Sequence, residues 1–155
     1  MTDGYSLDTN IIIDARNRWY PPELFPGLWQ NIERLIAAGR AIVTREVAEE
    51  LVRGDDDCAA WATSFPGFVA EADEVIVGVV TRIVSDFPAW SSVNTNWADP
   101  FVIAHGETRG FVVVTHERWS NSSVLGQEKI PNVCARYGLP CIGLTDLISE
   151  EGWSF

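Results

Sequence analysis

The chain has 155 residues, 46% of them hydrophobic and 11% aromatic, enough for one sizeable core and too few for two ordinary domains. A single domain over residues 1–155 is therefore predicted, and intrinsic disorder is excluded as the dominant state. Its 22 acidic residues against 11 basic ones give a net charge of -11, which excludes attachment to nucleic acid or anionic membrane by bulk charge, because such binding needs Lys and Arg to neutralise phosphates. No apolar run approaches the roughly 18 residues of a membrane span, and Met1-Thr2-Asp3 opens no signal segment. The cysteines Cys58, Cys134 and Cys141 form no CxxC pair, so a cytoplasmic protein with no membrane attachment is expected.

The elements alternate. Tyr5-Ser6-Leu7 is a short strand candidate ending at Asp8, and Ile11 to Ile13 start a helix that Pro21-Pro22 stops. Leu28, Ile32, Leu35 and Ile36 recur at helical spacing up to a Gly39 cap. Ala41-Ile42-Val43 is a second strand, and Thr44 caps a helix that turns Val47 and Leu51 inward and ends at Gly54. The acidic run Asp55-Asp56-Asp57 caps or solvates the next helix.

From Phe68 to Asp86 the residues Val69, Ala72, Val75, Ile76, Val79, Val80, Ile83 and Val84 fit the 3.6-residue period, which predicts one long helix. Phe87 to Trp97 reads as a loop leading to Asp99-Pro100, an N-cap and first helical position. Phe111 to Thr115 is the clearest strand, continuously apolar as a strand covered on both faces must be. After a serine-rich loop, Ile130 to Tyr137 is helical, Leu139 to Ile142 is a last strand, and Thr145 caps a C-terminal helix. Strands separated by helices imply an α/β fold: three layers, α/β/α, around a parallel sheet of four to five strands.

In such sheets ligands bind beyond the carboxyl ends of the strands. Asp8 follows the first strand, Glu46 and Glu50 lie early in the helix after the second, Asp99 opens the helix before the Val112–Val114 strand, and Glu117 lies just past that strand. All five can reach one rim. Crowded carboxylates repel unless a cation sits between them, and hard oxygen donors suit Mg²⁺ or Mn²⁺. A bound ion would also supply the positive charge that an acidic protein lacks for phosphate chemistry. Taken singly, each acid has a structural use: Asp8 and Asp99 as helix caps, Glu46 and Glu50 as a solvated face.

Four blocks carry a resemblance. Tyr5-Ser6-Leu7-Asp8-Thr9-Asn10, Val47-x-x-Glu50-Leu51, Ala98-Asp99-Pro100-Phe101-Val102-Ile103-Ala104 and Val113-Val114-Thr115-His116-Glu117 resemble, in order and spacing, the blocks of PIN domains. Lys129-Ile130-Pro131-Asn132-Val133-Cys134 resembles a PIN subgroup known mainly as a domain of unknown function. The resemblance implies a PIN-like α/β/α domain acting as a Mg²⁺- or Mn²⁺-dependent endoribonuclease that leaves 5'-phosphate and 3'-hydroxyl ends, in prokaryotes often the toxin of a toxin-antitoxin pair. RNA substrate, an antitoxin partner and a homo-oligomer are inherited expectations. By the same match Asp8, Glu50 and Asp99 are the principal metal ligands, and Glu117 stands where the family usually has aspartate. Thr9, Asn10 and Thr115 are expected to orient carboxylates or touch phosphate, with Glu46 in reserve.

Trp19, Trp90, Trp97 and Trp119 fall in or beside loops, with Arg16, Arg18 and Arg118 near two of them, a combination able to stack bases and contact phosphates. Trp29 and Trp61 are core candidates, His105 a packed residue, and His116 a neighbour of the site. Two other functions compete. A catalytically inert PIN-like protein-binding module would keep the acids as caps. An aspartyl-phosphate enzyme would need aspartate where Asn10 stands and a lysine at the active edge, whereas Lys129 follows no clear strand.

Overall fold

The computed structural model describes residues 2–155. Five short strands, β1 (Tyr5–Leu7), β2 (Ala41–Thr44), β3 (Val69–Ala70), β4 (Val112–Val114) and β5 (Cys141–Ile142), form one sheet in the order β3-β2-β1-β4-β5. Every pairing is parallel. Helices cover the sheet, giving the expected three-layer α/β/α architecture: α1 (Thr9–Asp14), α2 (Pro26–Ala37), α3 (Arg45–Gly54), α4 (Asp56–Thr63), α5 (Glu74–Asp86), α6 (Pro88–Ser91), α7 (Asp99–Arg109), α8 (Ile130–Arg136) and α9 (Leu144–Glu150). None of the described helices is long and apolar enough to cross a membrane.

The central strands are buried throughout, which explains their continuous apolar sequences. Against them pack Ile11 and Ile12 of α1, Leu28, Ile32 and Leu35 of α2, Val47 and Leu51 of α3, and Val102 and Ile103 of α7. Ser6, buried inside β1, donates from Oγ to the Val102 carbonyl at 2.9 Å, so its polar atom is satisfied where strand and α7 meet. At the amino ends of the strands Arg40 grips Glu151 through both terminal nitrogens at 2.8 Å, and the Tyr5 hydroxyl donates to the same carboxylate at 2.7 Å. That pins the C-terminal segment at the end of the sheet opposite the carboxyl ends of the strands.

Caps follow the sequence in some places and depart from it in others. Thr44 accepts from the Val47 N–H at 3.2 Å and Asp55 from the Cys58 N–H at 3.0 Å, both as expected. Asp99, read as an N-cap, is instead the first residue of α7; Ala98 holds the cap position, and the Asp99 side chain makes no capping hydrogen bond. Thr145 likewise lies inside α9, which starts from Gly143, whose N–H is met by Asp146 at 3.4 Å.

The single helix predicted over Phe68 to Asp86 is two elements. Val69–Ala70 pairs with β2 as edge strand β3, and α5 begins only at Glu74, where Asp73 accepts from the Ile76 N–H at 2.9 Å. The β-branched residues that fit a helical period also suit a pleated edge, and pairing with β2 decides between them. The stretch Phe87 to Trp97 is not plain loop either: it holds α6 and a 3₁₀ turn at Asn94–Asn96.

Candidate metal centre

The strand order places β1 between β2 and β4, so the chain leaves β1 toward one side and later returns to build the other. The crevice outside the carboxyl ends of β1 and β4 is the topological switch point, where open parallel sheets take their ligands. Two backbone bonds carry the pairing one residue past the strands: the Asp8 N–H donates to the Val114 carbonyl at 3.0 Å, and the Thr115 N–H to the Ile142 carbonyl at 3.0 Å. Asp8 and Thr115 are thereby neighbours at the sheet edge, and the Thr115 Oγ1 donates to Asp8 Oδ2 at 2.9 Å.

Around that pair the acids converge. Asp8, Asp99 and Glu117 each offer a carboxylate oxygen, all within 4.8 Å of one another. Asp8 and Asp99 are buried and Glu117 half-buried. The three Lys/Arg–carboxylate ion pairs among the described residues, Arg40–Glu151, Arg45–Glu71 and Arg82–Glu107, lie elsewhere. Burial, then the charge of Glu117, pushes the Asp8 carboxyl far above the usual range, against the pull of its bonds from Thr115 and the Thr9 N–H. Asp99 is driven up more strongly, first by burial and then by Asp8. Burial also raises Glu117, opposed by the Ile130 N–H and by Lys129.

Small hydrogen bonds hold the trio. Asp8 Oδ1 accepts from the Thr9 N–H at 2.8 Å, which is the capping bond of α1. Thr115 Oγ1, while donating to Asp8, accepts from the Glu117 N–H at 3.1 Å, so one hydroxyl fixes two of the acids. Glu117 Oε1 meets the Ile130 N–H at the start of α8, 3.4 Å away. Asn10 Oδ1 accepts from the His116 N–H at 3.2 Å and ties the segment after β4 to α1.

Glu50 lines the same cleft of about 390 Å³ but lies outside the tight trio. Its Oε2 accepts from the Thr9 hydroxyl at 2.6 Å, while its Oε1 is buried with no hydrogen-bond partner. The ranking predicted from sequence, with Glu50 ahead of Glu117, is thus reversed in space: β4 runs beside β1, whereas α3 starts behind β2. Glu46 does not line the cleft; the charges acting on it are Glu49 and Glu71. Lys129, set aside in the sequence for following no strand, borders the cleft beside Asp99 and Glu117, because the long loop after β4 returns to start α8 there. No sequence signal short of that fold would have placed it.

The tryptophan and arginine candidates separate. Trp90 is buried and cannot meet a base, while half-buried Arg16 is engaged with the rings of Trp29 and Trp61, 4.6 and 4.5 Å from their centres. Trp97 is half-buried with Arg53 over its ring. Trp19 and Trp119 stay exposed. His105 is buried as expected, its Nδ1 accepting from Arg109 Nε at 3.4 Å. Cys58 and Cys134 are buried fillers.

The donor set fits a hard divalent cation. Oxygens opposite each other on Mg²⁺ stand about 4.2 Å apart and on Ca²⁺ about 5 Å, so oxygens within 4.8 Å need only small side-chain rotations to share an ion. The unpartnered Glu50 Oε1 at the cleft's edge is a further acceptor awaiting a donor or cation.

Fold and site together define an α/β/α protein with an acid-lined cleft at the switch point of its parallel sheet. The chain belongs to the DUF4411 family, a domain of unknown function, which it matches over residues 5–155. No curated protein matches it in sequence.

Proposed function

We propose that this protein is a PIN-like, Mg²⁺- or Mn²⁺-dependent endoribonuclease that hydrolyses RNA phosphodiester bonds. The observation that carries the reading is the approach of Asp8, Asp99 and Glu117 to within 4.8 Å of one another at a buried sheet edge. Three carboxylates without a bound cation or paired base work against folding there. A divalent ion removes that penalty and, when bound, would supply Lewis acidity toward a phosphoryl oxygen and acidify a water.

The protein's own residues supply position. Asp8, Asp99 and Glu117 would hold the ion, with Glu50 adjoining it. Thr115 locks Asp8 and Glu117 in register through its single hydroxyl, and Thr9 bonds both Asp8, through its N–H, and Glu50, through its side chain. Lys129 at the rim offers a cation to the phosphate whose bond is cleaved. Burial lowers the affinity of His116 for a proton, and the scheme assigns it no proton transfer. The net charge of -11 favours a basic protein partner, consistent with a toxin held by an antitoxin.

The test measures RNA cleavage and thermal stability with and without Mg²⁺ or Mn²⁺. Metal-dependent cleavage lost in Asp8→Asn, together with a metal-induced rise in melting temperature, is the expected result. Metal that neither stabilises the fold nor supports cleavage of any RNA would leave an inert binding module.

A further inference from the structure

Three free thiols, Cys58, Cys134 and Cys141, take no part in the chemistry proposed above. Cys58 is buried in α4, where the groups acting on it are Asp55, Arg16 and Asp57. Cys134 fills the core of α8 in the same way, but a second thiol stands against it. Hydrogen-bond contact with Cys141, ahead of burial, raises Cys134 above the usual thiol range. The same contact lowers Cys141, against burial and the charges of Asp8 and Glu117.

The backbone fixes that meeting. α8 ends in a tight reversal: the Tyr137 and Leu139 N–H groups both donate to the Cys134 carbonyl, at 3.1 and 2.9 Å, and the Gly138 N–H donates to the Ala135 carbonyl at 3.1 Å. Gly138 takes the left-handed conformation, φ +66°, that this kind of helix end requires. The chain then returns through Pro140, whose carbonyl accepts from the Val113 N–H at 3.2 Å, and Cys141 pairs with Val113 in β5. The two cysteines thus face each other across a short, hydrogen-bonded reversal. Their access differs. β5 is an edge strand, and half-buried Cys141 lines a groove of about 880 Å³ past the ends of β4 and β5, whereas Cys134 has no exposed surface.

We propose that Cys141 and Cys134 form a reversible disulfide couple, in which Cys141 is the thiol that a small-molecule disulfide of the oxidised-glutathione type reaches and Cys134 is the thiol that resolves the adduct. The couple is independent of the nuclease reading. The Cys141 sulfur, its proton passed to water, attacks one sulfur of the small disulfide; that S–S bond breaks, and the thiolate released takes a proton back. Cys134 then attacks the Cys141 sulfur, its proton going to the second small thiolate as that leaves. Two protein thiols and one small disulfide become one protein disulfide and two small thiols. The order of attack follows from access, which thiol–disulfide exchange demands of both sulfurs: a small disulfide can approach the groove wall and not the interior, while Cys134 already lies against the sulfur it must attack. The bond ties α8, whose Ile130 N–H meets Glu117, to β5, whose Ile142 carbonyl meets the Thr115 N–H. Resolution by Cys134 also clears the groove wall of any adduct on Cys141.

The experiment treats the full-length protein, reduced and then freed of reductant under argon, with excess oxidised glutathione. Acid quenching and alkylation of the remaining thiols precede measurement of intact mass and tryptic peptides. The unmutated protein is expected to lose the mass of two hydrogen atoms. Cleavage after Lys129 and Arg136 should leave the α8 peptide, Ile130–Arg136, joined to residues 137–155 until dithiothreitol separates them. Cys134→Ala should stop with one glutathione held on Cys141, Cys141→Ala should leave Cys134 unreacted, and Cys58→Ala should behave as the unmutated protein, with circular dichroism checking that each variant folds. An unmutated protein that keeps both thiols, that stops at the glutathione adduct, or that pairs either cysteine with Cys58 would overturn the couple, and none of these results depends on a variant folding. Reaction of Cys134 in folded Cys141→Ala would overturn the order of attack.

Discussion

Replacing Asp99 by Asn should make the metal-free protein more stable while removing its response to metal. Asp99 is the best probe because, unlike Asp8, its side chain caps no helix, so Asn at that position sacrifices no such bond. Its charged form faces both Asp8 and Glu117 with ligand oxygens within 4.8 Å. At an effective dielectric of about 20, each such pair costs about 3.5 kcal/mol when both members are ionised. The protein escapes the full cost by keeping protons on the site, which is what the upward shifts of Asp8 and Asp99 express.

Because the folded state then holds protons that the unfolded chain releases, stability is undiminished below the ordinary carboxylate range and is lost as pH rises above it. The loss approaches about 1.4 kcal/mol per pH unit for each retained proton. Asp99→Asn removes one such group, so in EDTA it should be stabilised by up to about 5–6 kcal/mol at pH 8 and up to about 1–2 kcal/mol at pH 5, each kcal/mol being worth about 2–4 °C in a chain of this length. Thermal unfolding followed by circular dichroism at both pH values measures it. Adding Mg²⁺ should raise the melting temperature of the unmutated protein and not of the variant. A variant that melts below its parent at pH 8 without metal would refute the reasoning, since it would mean the carboxylate stabilises the apo fold.

Further outcomes follow from the same contacts. Thr115→Val removes the hydroxyl that fixes both Asp8 and Glu117; it should lower metal affinity by about 10- to 100-fold in calorimetric titration, with about 1–3 kcal/mol lost in denaturant unfolding from buried groups left unpaired. The Mg²⁺-induced gain in stability should grow between pH 5 and pH 8, reaching about 2.7 kcal/mol when the ion exceeds its dissociation constant a hundredfold, because binding competes with protons for the same oxygens; a gain independent of pH would count against these ligands. Gly106→Ala should destabilise by about 1–3 kcal/mol, since its methyl would lie 2.9 Å from Val113 Cγ2 and 3.3 Å from the Phe111 carbonyl oxygen, where α7 crosses β4. Thermal unfolding checks this, and the metal response should survive. Lys129→Ala should lower the cleavage rate without weakening metal binding, measured by single-turnover kinetics and titration in parallel.

Local chemistry made much of the protein legible before folding. The continuous apolar runs of β2 and β4, the helical spacing in α2 and α3, and the caps Thr44 and Asp55 each rest on interactions within a few residues, so periodicity and capping rules reach them. The acids following β1 and β4 were readable too, because a parallel sheet delivers residues just past its strands to one edge whatever their separation in sequence. Tertiary pairing decided the rest. Val69 and Ala70 continue a helical period and become a strand only because β2 presents an open edge. Glu117 stands nearer Asp8 than Glu50 does because β4, not α3, lies beside β1. Lys129 reaches the cleft through a long returning loop, and Arg16 the rings of Trp29 and Trp61 through one widened turn. Pattern within a chain reports which face of an element is apolar; it carries no record of which elements become neighbours, and the sharing of charge across a site is set by neighbours.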